Sequence, residues 1–283
     1  MESKNKGIKI ETMVDHYLTM ISDISTDSFF EGDKGTKQKI ISELCRAVRA
    51  FSSNMHYVKE QIDWKMSDGD QILDPEWYDH FCDQHYKFTS NGSSYWLERG
   101  VFNNLVLFPS ANVLELCCGD GYNAYHFYSK MCKNIYSIDR DKSAHDHAVL
   151  NFGHVENITF ILGDIIYDLP DDKFDVVIWD AAIEHFTEDE IFLLMNSIKE
   201  KLGDGILTGH TIKERDDGSS QLDEHEREFT SKEDLAQFFV PFFKNVLVFE
   251  TIHPERHNYY FYASDSPIPF GEGWRGSLRI SKD

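Results

Sequence analysis

The sequence is short of positive charge: 28 Lys and Arg stand against 49 Asp and Glu, a formal net charge of −21. That balance disfavours broad phosphate contact and attraction to anionic lipid, so neither a nucleic-acid nor a membrane partner is expected. Cysteine is scarce too. The five, Cys45, Cys82, Cys117, Cys118 and Cys132, are odd in number and show no CxxC pairing. This argues against a disulfide framework or a zinc ribbon and points to a reducing compartment. No apolar run approaches the roughly 18 residues of a bilayer span, and residues 1–10 lack the apolar stretch of a secretory signal. Internal repeats and low-complexity segments are also lacking. The expectation is a soluble cytoplasmic protein. What is present fits it: 283 residues, 41% hydrophobic, 27% charged and 14% aromatic, enough for one large domain with an appendage or for two small ones.

The texture changes near residue 110. Before it, Ile40, Ile41, Leu44, Val48, Phe51, Met55, Val58 and Ile62 recur at three- and four-residue steps, which predicts one apolar face of a long helix. A second helix is expected over 8–22. Residues 75–105 are dense in aromatics, among them Trp77, Tyr78, Phe81, Tyr86, Phe88, Tyr95, Trp96 and Phe102; they read as a helical core face or as a lid over a ligand. From residue 112, apolar runs predict strands at 112–117, 134–139, 158–163, 174–181, 205–212, 245–252 and 257–264. Helices are expected between them at roughly 121–131, 142–151, 186–202 and 231–239, the last opened by the capping-box spelling Thr230 to Glu233. The final two strands lie too close in sequence for a crossover helix and must form an antiparallel hairpin. The fold class predicted is α/β: a doubly wound, mostly parallel seven-stranded sheet over 91–265 with a closing hairpin, after a helical segment over 1–90 and before a tail over 266–283.

The first of these strands runs through Glu115-Leu116-Cys117-Cys118-Gly119-Asp120-Gly121 directly into a helix. Small residues at such a turn let the backbone approach a ligand, and the helix N-terminus presents free N–H groups. The dinucleotide spelling GxGxxG is not met, since Cys117 and Tyr122 stand at two of its glycine positions. The segment instead resembles the (D/E)xGxGxG motif of class I S-adenosylmethionine-dependent methyltransferases, with Cys117 where the first glycine usually is. The resemblance continues along residues 93–265. It implies S-adenosylmethionine as cofactor, held by Glu115, Cys117, Gly119 and Gly121 at the turn and by Asp139 on the ribose hydroxyls. Asp164 and Ile165 would meet the adenine, and Asp180 would lie against the methionine part. Two readings stay open beside these: Asp139 as a helix N-terminal acid and Asp164 as a turn former.

On the acceptor side, loops at the carboxyl ends of the strands form the crevice, which places Asp180, Glu184 and His185 near the transferred methyl group. His185 and His210 are the candidate catalytic bases, since a hydroxyl acceptor must lose a proton as the carbon–oxygen bond forms. His185 in its E-H-F segment could equally support the loop, and His225 is a further candidate in the polar loop 213–228. No metal is expected. His145 and His147 are two apart on a helix and point away from each other. Asp180, Glu184 and His210 could hold Mg²⁺ as in catechol-type relatives, but Gly209-His210 replaces the Asp-Asn pair those enzymes carry. Asp180-Ala181-Ala182 is not the (D/N)PP(Y/F) of enzymes that methylate nucleic-acid bases. The expected activity is methylation of a small polar acceptor, with O-methylation of a sugar or biosynthetic intermediate favoured. The alternatives are an aminopropyl-type transferase and a non-catalytic partner protein that docks through its N-terminal helices.

Overall fold

Alternating apolar strands and amphipathic helices from residue 112 onward build one eight-stranded sheet in the computed structural model, which describes residues 33–66, 94–215, 217–254 and 256–282 together with Thr19. The expected helix over 8–22, Thr19 apart, and the aromatic residues from Trp77 to Phe88 lie outside them, as does Cys82. The chain divides into Met1–Pro75 and Glu76–Asp283, earlier than the boundary expected near residue 90. In the first unit, α1 (Lys34–Met66) is the long helix predicted from periodicity. Ile41 and Val48 of its expected apolar face are exposed, while Ala47 is buried.

The second unit begins with α2 (Tyr95–Asn103). There follow β1 (Asn112–Leu116), β2 (Asn134–Asp139), α3 (Lys142–Phe152), β3 (Ile158–Leu162), β4 (Val176–Asp180), α4 (Glu188–Leu202), β5 (Ile206–Ile212), α5 (Lys232–Ala236), β6 (Asn245–Ile252), β7 (His257–Ser264) and β8 (Leu278–Ser281). The sheet order is β3-β2-β1-β4-β5-β7-β6-β8, parallel from β3 to β5 and antiparallel thereafter. β4 is buried at all five positions, as a parallel strand covered by helices on both faces must be. Its side chains alternate between two layers. Val177 and Trp179 face the core that α4 fills with Ile191, Leu194, Met195, Ile198 and Leu202; Val176 and Ile178 face Ala124 and Tyr128. The helix starts are fixed by side chains. Asp141 accepts from the backbone N–H groups of Ser143 and Ala144, and Thr187 and Glu190 close a capping box on α4.

Three details depart from expectation. The tail carries β8, a short edge strand on β6, so the sheet has eight strands rather than seven. The cap of α5 is Ser231, whose Oγ accepts from the Asp234 N–H at 3.0 Å, one residue later than the predicted Thr230–Glu233 box. Finally, the helix after β1 is wound as a π-helix over Ala124–Tyr128, with the Ser129 N–H donating to the Ala124 carbonyl at 2.8 Å. In an α-helix, residues five apart stand about 140° apart around the axis. The wider π turn brings Asn123 and Tyr128 toward one side.

Candidate active site

Strand register builds the centre of the site. Parallel pairing of β4 with β5 sets Trp179 opposite Gly209 and Asp180 opposite His210. Antiparallel pairing sets His210 opposite Tyr260. A Cβ at residue 209 would lie 1.8 Å from the Trp179 carbonyl oxygen, so only glycine lets the two strands close up beside the Asp–His pair. The His210 Nδ1 is 2.7 Å from Asp180 Oδ1, and its ring stacks on Tyr260 with centroids 5.4 Å apart.

Helix α2 completes the surroundings of Asp180. Arg99 and Asn103 are four residues apart and share a face. Arg99 Nε donates to Asp180 Oδ2 at 2.8 Å, and Asn103 Nδ2 donates to Asp180 Oδ1 at 3.3 Å and to the Tyr128 hydroxyl at 3.0 Å. Asn103 Oδ1 accepts from Thr208 at 3.0 Å, and Asn123 Nδ2 reaches Asp180 Oδ2 at 3.4 Å. Arg99, Asn103, Asp180, Thr208 and His210 are all buried.

Burial alone would raise the Asp180 carboxyl, but the Arg99 guanidinium and then His210 hold it well below the usual carboxylate range. For His210, burial outweighs the pull of Asp180 and lowers the imidazole, so the ring is neutral at neutral pH. An ionised Asp180 can only accept, so Nδ1 carries the hydrogen and Nε2 the lone pair. That Nε2 is buried and has no hydrogen-bond partner among the described residues. A buried ring nitrogen left open beside a carboxylate that fixes its tautomer is the geometry of a general base.

At the switch point, where β1 is flanked by β2 and β4, the chain turns with positive φ at Cys117 (55°), Gly119 (55°) and Gly121 (74°), and again after β4 at Ala181 (51°). The left-handed conformation costs a residue with a side chain about 1–2 kcal/mol, so Cys117 and Ala181 store strain at the ends of adjacent strands. Asp139 ends β2. Its Oδ2 accepts the Gly119 N–H and its Oδ1 the Asp141 N–H, each at 2.8 Å. Burial pushes its carboxyl above the ordinary value, against those two bonds. Each oxygen keeps a second acceptor position, which suits the two vicinal hydroxyls of a ribose.

Other expected cofactor residues are placed differently. Asp180 has acceptor positions taken up by Arg99, Asn103, Asn123 and His210. Ile165 is buried in the main core. Asp164 forms a turn, its Oδ1 accepting the Ile166 N–H at 2.9 Å. Glu115 is buried in β1, where Oε2 accepts from the Ser137 hydroxyl at 2.6 Å. Desolvation pushes its carboxyl up to about 8.

Since the fold favours the protonated form of Glu115, this residue contributes stability that is complete below the unfolded carboxyl value near 4.5 and is lost as pH rises through about 8. Thermal melts of Glu115→Gln are expected to show a shallower decline than wild type between pH 5 and 8; parallel curves would remove the assignment.

His185 belongs to a neighbouring cluster. Its Nδ1 lies 3.2 Å from the Glu224 carbonyl oxygen, and its ring meets His225 edge-on at 4.8 Å. Arg99, Asn103, Asn123 and Tyr128 escape a reading of the sequence. For Arg99 and Asn103 the one available signal is their spacing of four on one face of the aromatic-rich stretch 95–103, which also carries Glu98.

Residues 113–205 match the family model described as a methyltransferase domain. No curated protein matches the chain by sequence. Among solved structures, TehB from Haemophilus influenzae aligns at 17% identity over 65% of this chain and 68% of its own, with a TM-score of 0.51. An S-adenosylmethionine-dependent methyltransferase from Clostridium acetobutylicum aligns at 13% identity over 67% of this chain and 99% of its own, with a TM-score of 0.50. No described helix is long and apolar enough to cross a membrane. The family match falls on the strands that frame the switch point, so residues 113–205 form a methyltransferase domain, and the fold is the one these S-adenosylmethionine-dependent methyltransferases share.

Proposed function

We propose that the protein methylates a hydroxyl group of a small polar acceptor, a sugar or a hydroxylated biosynthetic intermediate, with His210 as the base. The observation that carries this reading is the orphaned, buried Nε2 of a neutral His210 whose other nitrogen is held by Asp180. When bound, S-adenosylmethionine supplies an electrophilic methyl group on a sulfonium. As the acceptor oxygen took the methyl group and the sulfonium bond broke, the hydroxyl proton would pass to His210 Nε2. Asp180 stabilises the imidazolium that results, and Arg99, Asn103 and Asn123 keep Asp180 in place. Asp139 is the proposed ribose acceptor, and the strained turn at Cys117–Gly121 brings backbone close to the cofactor.

The surroundings of His210 favour a hydroxylated acceptor. From Tyr260, contacts run through Glu98 to His253 and Tyr95, and the Arg256 guanidinium lies over the Tyr95 ring at 5.6 Å. Aromatic faces suit the apolar face of a sugar ring, while carboxylate and guanidinium edges suit its hydroxyls.

Calorimetric titration tests the cofactor half. Asp139→Ala should weaken S-adenosylmethionine binding by about 1.5–3 kcal/mol, roughly ten- to a hundredfold in Kd. Wild-type affinity in that variant would sink the ribose assignment. A screen of hydroxylated acceptors for production of S-adenosylhomocysteine tests the other half; turnover with amine acceptors alone would overturn the hydroxyl reading.

A further inference from the structure

Beside the proposed active site, the turn after β4 and the loop after β5 are joined through a second set of polar side chains. The three-residue 3₁₀ turn Ile183–His185 carries Glu184 and His185, and the loop contributes His225. The backbone N–H groups of Glu226 and Arg227 donate to the Glu184 carbonyl at 2.9 and 3.0 Å, which fixes the loop on the turn. One ligand atom from each of Glu184, His185 and His225 falls within 4.8 Å of the other two.

We propose that Glu184, His185 and His225 form a binding site for a divalent transition-metal ion of the zinc class. The ligand types are right: two imidazoles and a carboxylate hold ions of this class with one or more positions left open. The second argument lies behind the ligands. A metal-bound histidine almost always donates its other ring N–H to a carbonyl or a carboxylate, which fixes its tautomer and raises its basicity. Both histidines have such a partner. His185 Nδ1 faces the Glu224 carbonyl oxygen at 3.2 Å, and His225 Nδ1 is held by the Glu228 carboxylate. With Nδ1 committed in each ring, Nε2 is the nitrogen that would face an ion.

Glu228 is itself fixed, accepting from the Ser220 hydroxyl at 2.9 Å and from the Gln221 N–H, and the side chains of His225 and Glu228 are only 3% and 4% exposed. Glu184 is anchored by the Thr211 hydroxyl, which donates to Oε2 at 2.9 Å. Three atoms spaced evenly at that limit would have an equidistant point about 2.8 Å from each, from which shifts of roughly 0.7 Å would reach the about 2.0–2.1 Å of zinc–nitrogen bonds. A bound ion would clamp the loop after β5 to the turn after β4, both at the carboxyl end of the sheet. Neither Asp180 nor His210 is among its ligands, and the site does not depend on the methyl-transfer reading.

The test uses the full chain, stripped with a chelator and titrated with Zn²⁺ or Co²⁺ alone. One equivalent of Zn²⁺ should bind, and Co²⁺ should give visible ligand-field bands without a thiolate band. Glu228→Gln should weaken binding about ten- to a hundredfold by releasing His225, and His225→Ala should remove the stoichiometric site. His225→Cys should retain Co²⁺ and add an intense thiolate-to-cobalt band in the near ultraviolet. Absence of a stoichiometric site in the wild type would overturn the proposal, as would a thiolate band already present there or a His225→Cys spectrum identical to that of the wild type.

Discussion

Asp180→Asn is expected to destabilise the fold by about 3–5 kcal/mol, the cost of breaking a buried ion pair from one side. Asp180 is the common acceptor of Arg99, Asn103, Asn123 and His210, and both it and Arg99 are about 95% buried. The amide keeps the shape, so the loss would report charge rather than packing. Arg99 would be left as a buried cation with no counter-charge at Oδ2, and the amide would turn one donor toward a donor. For a unit of this size the melting temperature should fall by roughly 6–20 °C. Adding Arg99→Met should recover part of the loss, because removing both partners of a buried pair is often close to neutral. If Asp180→Asn melts like the wild type, Asp180 does not organise this site. If the double variant is additive, its partnership with Arg99 is not the source of the effect.

The second large effect is on rate. His210→Ala should lower kcat by about 10²–10⁴, the usual contribution of a positioned general base, while leaving the Kd for S-adenosylmethionine within about threefold. The separation matters because His210 packs against Tyr260 and bonds Asp180, so a structural defect would move affinity, stability and rate together. His210→Gln offers a control of similar bulk that can still donate to Asp180 but cannot take a proton. It should remain as slow as the alanine variant. Recovery to near wild-type kcat in His210→Gln would assign the residue to positioning alone and leave proximity as the account of the rate.

The sheet was legible because parallel strands buried on both faces read as short continuous apolar runs, and Asp139 and Asp180 stand where those runs stop. The β6–β7 hairpin followed from the shortness of its connection. β8 was not legible: Leu278-Arg279-Ile280-Ser281 is a four-residue edge strand with only partly buried side chains, indistinguishable from a tail. Nor does any residue type mark the π-helix at 124–128, since its winding depends on what packs around it. Of the site, His210 could be found as a strand-end histidine, and its pairing with Asp180 then follows from register. Arg99 and Asn103 could not. Polar residues on an amphipathic helix read as a solvated face, and only a buried carboxylate on another element gives them a reason to point inward. Glu115 and Ile165 stand at the expected motif positions, but strand alternation turns the Glu115 side chain into the protein, and the turn after β3 buries Ile165 in the main core.

The central claim is that a neutral His210 takes the acceptor proton, and the pH dependence of single-turnover methyl transfer tests it most directly. Burial lowers the His210 imidazole below its ordinary 6.5, and a base works only when unprotonated. The wild-type rate should therefore rise with pH through an apparent value below 6.5 and then level off, and His210→Ala should be slow with that limb absent. A limb that persists unchanged in His210→Ala, at a rate close to wild type, would contradict the account.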